Sequence, residues 1–181
     1  MSWSFNNSWN YNKVNYQYKI GEQEEEDRQV TTKLMYKLLS GGGCTDIIIT
    51  PTKITDPVDL EIDYNDRNGK PDHITVEVKS RNKNEYKLEH YPYAELTLGK
   101  MQRIRDWADG GKLLYIQLLN KETAYIYYIT DKYLNESAFQ ATMPNNKVTE
   151  FNPCSERKDM VVWELPYSTA YKAESIKYFY Y

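Results

Sequence analysis

The stretch D-L-E-I-D-Y-N-D-R-N-G-K-P-D-H-I-T-V-E-V-K, from Asp59 to Lys79, decides the fold. Apolar side chains alternate with polar ones in both of its halves, at Leu60, Ile62, Tyr64, Ile74, Val76 and Val78. This period of two is typical of strands that bury one face, and the central Asn68-Gly69 pair is typical of a hairpin turn. The stretch therefore predicts a β-hairpin with one apolar face and one face rich in carboxylates.

The length of the hairpin loop decides which side chains oppose each other. A loop of three or five residues sets Asp59 opposite Glu77, on the same side of the sheet, with Cβ atoms about 4.5–5.5 Å apart. The same register sets Glu61 opposite Thr75, whereas a slip by two residues would pair Glu61 with Glu77. A slip by one would turn the carboxylates towards the core, where burial of their charge is costly. A two-residue turn would produce this one-residue slip. We therefore predict a longer or bulged loop.

Length and composition limit the class of protein. The chain has 181 residues and a net charge of −3, and its mean hydropathy is −0.79, which together predict one soluble domain without membrane association. The first ten residues lack the basic and apolar segments of a secretory signal, so we expect a cytoplasmic protein with reduced thiols at Cys44 and Cys154. With two histidines and two cysteines, any metal is expected to be a hard cation on oxygen ligands.

Charge is distributed unevenly along the chain. Residues 22–27 are acidic, whereas residues 79–105 carry an excess of lysine and arginine. An ordinary solvated surface would explain this uneven charge. Alternatively, the basic residues form a rim that faces the phosphate groups of a nucleic acid.

The remaining pattern predicts an α/β (α+β) domain, with a central mixed sheet of about five strands and helices on both faces. Helical spacing of apolar residues indicates helices over 24–39, from Thr97 as N-cap to about 108, and over 133–141. Apolar runs indicate further strands, of which the first is expected to be buried, at 46–50, 113–119, 123–129 and 160–165. Residues 80–93 are expected to form a loop. Residues 1–20 form an expected arm rich in aromatic residues and asparagine, and 21–181 a single domain, with its core at about 22–130 and a C-terminal extension at 131–181.

Three acidic positions and one lysine form a recognisable pattern. Glu77-Val78-Lys79 lies on a predicted strand, Asp59 at the start of the preceding strand, and Glu26 on the preceding helix. Over roughly residues 22–130 the chain resembles the PD-(D/E)XK nucleases, the restriction-endonuclease-like superfamily. Its layout is similar to that of the small resolvase-like and phage endonucleases in that superfamily.

Two features depart from the family pattern. One residue is inserted into the nominal Pro-Asp pair, at Pro57-Val58-Asp59. The literal Pro71-Asp72 pair lies five residues before Glu77 on the same strand, roughly 16 Å away, so it is too distant to share an ion with it. Glu61 and Asp63 remain rivals to Asp59 as the upstream acid.

The resemblance implies hydrolysis of phosphodiester bonds in nucleic acid, DNA rather than RNA, with Mg²⁺ as cofactor and Mn²⁺ as a substitute. Asp59, Glu77 and the Val78 carbonyl are the implied metal ligands, and Glu26 would orient a bound water or hold a second ion. Lys79 would assist the attacking water or stabilise the transition state. The expected contacts to the phosphate backbone are Lys100, Gln102, Arg81 and Arg103.

Two other functions stay open on the sequence. The same fold could serve as a nucleic-acid-binding or protein-binding module without catalysis. The chain could also be a structural phage or assembly protein that forms oligomer contacts through its aromatic ends. A homodimer is compatible with each of these functions.

Overall fold

The computed structural model describes residues 8–81, 92–143 and 160–180. The helices are α1 (Ser8–Gly41), α2 (Leu98–Ala108) and α3 (Asp131–Glu136). The strands are β1 (Thr45–Pro51), β2 (Leu60–Asn65), β3 (Pro71–Arg81), β4 (Tyr93–Thr97), β5 (Lys112–Leu119), β6 (Thr123–Tyr128), β7 (Phe139–Met143), β8 (Met160–Pro166) and β9 (Lys172–Ser175).

The central sheet contains six strands in the order β1-β2-β3-β5-β6-β9. Strands β3 and β5 run parallel and every other neighbouring pair runs antiparallel, so the sheet is mixed as predicted. Strands β4, β8 and β7 form a second, three-stranded antiparallel sheet that the sequence did not predict. The α/β class is confirmed.

The hairpin of β2 and β3 has the predicted register. Glu61 pairs with Thr75, and the ladder ends at Asn65 and Pro71, which leaves a loop of five residues. Within that loop the Asp66 carboxylate accepts hydrogen bonds from two backbone N–H groups, those of residues 68 and 70, at 2.8 and 2.9 Å. Gly69 adopts φ +76°, a left-handed conformation that a side chain would disfavour. The odd number of loop residues therefore places the carboxylates on the face of the hairpin opposite Leu60 and Ile62.

The central sheet is covered on both faces. On one face α1 packs against the apolar side of β2 and β3, where Leu34, Leu60 and Ile62 are fully buried. On the other face Met101 and Ile104 of α2 pack against Leu113, Tyr115 and Tyr127 of β5 and β6, together with residues of the second sheet. The prediction of helices on both faces is confirmed. None of the helices in the described ranges is long and apolar enough to cross a membrane.

Helix α2 begins where the sequence predicts. Thr97 is the N-cap, and its hydroxyl oxygen accepts a hydrogen bond from the backbone N–H of Lys100 at 3.2 Å. We expect Thr97→Ala to lower the free energy of unfolding by about 1 kcal/mol, because one N–H of the first turn loses its acceptor. Thr97→Ser retains the hydroxyl and should restore most of that stability in urea unfolding. Equal stability of all three proteins would contradict the role of the cap.

Strand β1 corrects one expectation. The isoleucine-rich run at 46–50 was expected to be buried, but β1 is an edge strand and Ile48 is 61% exposed. Apolar density alone does not separate a central strand from an edge strand, because position in the sheet depends on distant pairing partners.

Other boundaries also differ from those expected. Helix α1 begins at Ser8, before the predicted start at Glu24, and the assignment of 1–20 as a separate arm stays a prediction. The predicted helix at 133–141 is divided into the shorter α3 and strand β7, because the chain turns at Ser137 to join the second sheet. Of the predicted loop at 80–93, its first two residues belong to β3 and residue 93 begins β4, and residues 82–91 lie outside the described ranges.

Candidate active site

A cleft of about 460 Å³ lies where β2 begins and β3 nears its end, between α1 and the first turn of α2. Three elements, α1, β3 and α2, and the segment that precedes β2 contribute its lining, namely Gln23, Glu24, Asp27, Arg28, Ile54, Asp56, Asp59, Glu77, Val78, Lys79, Ser80 and Lys100. The cleft brings together five sequence-predicted site residues: Asp59, Glu77, Val78, Lys79 and Lys100.

Asp59 is held at the mouth of the hairpin by both carboxylate oxygens. Its Oδ2 accepts a hydrogen bond from the backbone N–H of Val78 at 2.9 Å. Its Oδ1 lies 3.3 Å from a guanidinium nitrogen of Arg28, on α1, whose side chain is 12% exposed. The Asp59 N–H donates in turn to the carbonyl of Val76 at 2.9 Å. These contacts hold Asp59 beside the strand that carries Glu77.

Glu77 is 5% exposed, which is unusual for a glutamate. Its Oε1 lies 2.8 Å from the Lys100 ammonium, whereas its Oε2 is buried and has no hydrogen-bond partner among the described residues. Burial and, to a smaller extent, the neighbouring charge of Asp59 raise the pKa of Glu77 to about 8, although the nearby Lys100 ammonium opposes the rise. The buried oxygen thus lacks the donor or cation that a buried carboxylate requires.

Lys79 is exposed in the cleft and lies two residues beyond Glu77 on β3. Its backbone carbonyl accepts a hydrogen bond from the side-chain amide of Gln117 at 2.9 Å. Gln117 is fully buried on β5, at the position directly beside Lys79 in the parallel register. The amide therefore stabilises the strand from which the Lys79 side chain projects, and no motif in the sequence identified it.

Helix α1 contributes two carboxylates to the cleft, the exposed Glu24 and the buried Asp27, which lies one position after the predicted Glu26. Asp27 is 7% exposed and burial raises its pKa, although hydrogen bonds with Ser80 and Gln23 oppose the rise. The Glu26 carboxylate instead lies 2.7 Å from the ammonium of Lys121, outside the cleft lining. Because an α-helix turns by about 100° per residue, the side chains of Glu26 and Asp27 point to different parts of the structure.

The other predicted phosphate contacts do not line the cleft. Arg81 pairs with Glu95 at 3.3 Å, and the amide of Gln102 donates to Asp106 at 2.7 Å. Arg103 lies on the exposed side of α2.

The rival acids lie on the same hairpin but outside the cleft. Glu61 and Asp63 flank the imidazole of His73, with oxygen–nitrogen distances of 2.7 and 2.8 Å. The Trp107 indole N–H also donates to Glu61. Asp72, of the literal Pro-Asp pair, pairs with Lys112 at the loop end of β3. None of these three acids is among the residues that line the cleft, whereas Asp59 is.

The His73 cluster implies a measurable dependence of stability on pH. Partial burial lowers the pKa of His73, but hydrogen bonds to Asp63 and Glu61 outweigh it and raise the pKa above its usual range. A raised folded-state pKa adds stability that is complete below about pH 6.5 and is lost as the pH rises through the folded value. We therefore expect His73→Gln to destabilise the protein more at pH 6 than at pH 9. Because His73 is half-exposed, the difference should stay below about 1 kcal/mol.

Urea unfolding of both proteins at the two pH values measures this difference. The mutant Asp56→Asn, which removes an acid from a different segment, controls for general charge effects. A His73→Gln penalty that is the same at pH 6 and pH 9 would contradict the charged cluster.

The donor set of the cleft suits a small, hard cation. Mg²⁺ is usually held by one or two carboxylates while it retains several waters. Asp59 and Glu77 meet that requirement, and the unpartnered Oε2 of Glu77 is a buried acceptor open to an ion. Within the described ranges no group of three or more histidine, cysteine, aspartate or glutamate side chains converges as a metal site. The carboxylate oxygens of Asp59 and Glu77 fit Mg²⁺ or Mn²⁺ better than zinc, which favours a closed set of nitrogen and sulfur ligands.

Comparison with known proteins finds a similar solved structure but no relative in sequence. No protein-family model matches the chain. No curated protein matches it in sequence. Among solved structures, the chain is similar to Hjc of Archaeoglobus fulgidus, a Holliday junction resolvase from an archaeal hyperthermophile, with a TM-score of 0.41 and 10% identity. The match covers 81% of this chain and 96% of that chain.

Proposed function

We propose that this protein is a divalent-metal-dependent nuclease that hydrolyses phosphodiester bonds, with DNA as its substrate. The observation that carries the proposal is the pair of carboxylates, Asp59 and Glu77, in one cleft, with a buried glutamate oxygen that lacks a partner. A purely structural glutamate would be costly to bury in this way, since an unsatisfied buried polar group destabilises the fold. Strained or unsatisfied groups of this kind are common at functional sites.

Asp59, Glu77 and the carbonyl of Val78 are the proposed metal ligands. When bound, Mg²⁺ supplies Lewis-acid stabilisation of the charge on phosphate oxygens and activation of a water. Arg28 holds Asp59 in place, so the orientation of this carboxylate does not depend on the ion. Asp27, rather than Glu26, is the proposed third acid, and its place in the lining of the same cleft suits it to accept a hydrogen bond from water.

Lys79 is the proposed catalytic cation. Its exposed ammonium extends from the strand position two residues after Glu77, on the same side of the sheet, so it can reach a phosphate held at the carboxylates. From there Lys79 can orient an attacking water or donate to the phosphate oxygens as negative charge develops. Gln117 supports the backbone of Lys79 from the neighbouring strand.

Plasmid cleavage tests the proposal. Purified protein with Mg²⁺ or Mn²⁺ is expected to convert supercoiled and branched DNA to nicked or cut products, and EDTA is expected to prevent this. Asp59→Asn keeps the size of the side chain but removes its charge, and should reduce the rate by at least about 100-fold.

Absence of product with both metals, on duplex, branched and single-stranded DNA and on RNA, would overturn the nuclease proposal. Metal-independent retention of DNA in a gel shift would then favour a binding module on the same fold. Undiminished cleavage by Asp59→Asn would show that the activity comes from elsewhere.

A further inference from the structure

Each of the two proposed metal-binding carboxylates has its own cation. Asp59 is paired with Arg28, and Glu77 is paired with Lys100. Within this group of four, the acids and bases balance in formal charge, and the rest of the lining adds three acids, Glu24, Asp27 and Asp56, and one base, Lys79. A divalent ion that enters this group therefore meets two cations at close range, and like charges repel strongly where water is scarce.

The two cations differ in how firmly they are held. Arg28 is 12% exposed and directs two guanidinium nitrogens, Nε and an Nη, at one oxygen of Asp59. Lys100 is 25% exposed and contacts Glu77 through a single ammonium, at the end of a flexible four-carbon chain. Its backbone is fixed by the Thr97 cap, whereas the ion pair with Glu77 is the contact that places its ammonium in the cleft. Lys100 is therefore the cation that can move away from an arriving ion.

We infer that Lys100 is an internal counterion of Glu77, displaced by the metal and then transferred to a phosphate of the nucleic acid. The inference rests on the proposed function and adds a coupling to it. While Glu77 holds Lys100, neither the full carboxylate nor the ammonium is available to ligands. Metal binding frees the ammonium, and phosphate binding in turn keeps it away from Glu77. Metal and nucleic acid therefore bind cooperatively, and linkage requires the effect to be reciprocal.

A double-mutant cycle in EDTA tests the counterion role without metal or catalysis. Glu77→Gln should release Lys100, so this variant is expected to bind a fluorescein-labelled DNA duplex about tenfold more tightly than the wild type. Lys100→Met should bind about as tightly as the wild type, because Lys100 does not contact phosphate while it is paired. In the double mutant the gain from Glu77→Gln should disappear, which gives a coupling that independent sites would not show.

Glu26→Gln is the matched control. It releases Lys121 from an ion pair of similar length outside the cleft, at 2.7 Å, and is expected to change DNA affinity by less than about twofold. The same increase for Glu26→Gln and Glu77→Gln would mean that any loss of negative charge strengthens binding, and would overturn the inference. An increase for Glu77→Gln that persists in the Lys100→Met background, or no increase at all, would also overturn it. Lys100→Gln replaces Lys100→Met should the latter fail to fold.

Calorimetry with Mn²⁺ separates this inference from the proposed function. Failure of the wild-type protein to bind Mn²⁺ would overturn both. Normal Mn²⁺ binding, combined with additive effects of the two substitutions on DNA affinity, would overturn the counterion role alone.

Discussion

Glu77→Gln is expected to reduce metal-dependent DNA cleavage by at least about a thousandfold. The substitution keeps the volume of the side chain and removes the charge of the ligand whose Oε2 is buried without a partner. Loss of metal-assisted stabilisation amounts to several kcal/mol of activation free energy, and each 1.36 kcal/mol corresponds to about a factor of ten in rate. Initial rates of plasmid nicking in Mg²⁺ measure the effect.

Glu136→Gln is the control for this experiment. Glu136 is exposed at the end of α3, on an element that does not line the cleft, so this variant should cleave like the wild type. A Glu77→Gln protein that is folded and retains more than about a tenth of the wild-type rate would contradict a metal-ligand role for Glu77.

Lys79→Met is expected to lower the cleavage rate by about 10²–10³-fold while Mn²⁺ affinity stays unchanged. The exposed ammonium is placed to act on the phosphate or the attacking water, and loss of one such donor costs about 3–4 kcal/mol. Because Lys79 is not a proposed ligand, calorimetry should give the same Mn²⁺ affinity as for the wild type. That contrast distinguishes it from Glu77→Gln, which should lose both activity and metal.

Lys132→Met provides the matched lysine control, because Lys132 is exposed on α3. It should leave both the rate and the metal affinity unchanged. Equal rates for Lys79→Met and the wild type would remove Lys79 from the catalytic residues, and a parallel loss of Mn²⁺ affinity would assign it a structural role instead.

The hairpin was predictable because its information is local. Alternation sets the two faces of β2 and β3, and the pairing of Glu61 with Thr75 follows from the parity of a five-residue loop. Exclusion of buried, unpaired charge removes the competing register. The approach of Asp59 to Glu77 is a consequence of these local rules.

The spacing of apolar residues on α1 determines which acid before Val30 faces the sheet. Side chains at Asp27, Val30, Thr31 and Leu34 are all buried on one side of α1. Their spacing of three and four residues is that of one helical face, which places Asp27 rather than Glu26 towards the sheet. The direction of the buried face, taken from the apolar residues, would have identified Asp27 as the buried acid of the cleft.

Contacts between distant parts of the chain were not predictable in this way. Arg28 and Asp59 are 31 residues apart, and nothing in either segment indicates the other. The second sheet joins β4 to β8, so that Leu96 pairs with Trp163. Such pairings depend on the global topology, and their absence from the sequence pattern explains why the prediction that the 46–50 strand is buried was also wrong.

An ion between two acids is the central claim, and a crystal grown with Mn²⁺ tests it most directly. The account predicts an anomalous-scattering peak bound by the carboxylates of Asp59 and Glu77, at about 2.0–2.2 Å from their oxygens, and loss of that peak in Glu77→Gln crystals. It also predicts that the Lys100 ammonium no longer contacts Glu77. A cleft without an ion at saturating Mn²⁺, with Lys100 still paired to Glu77, would contradict the account.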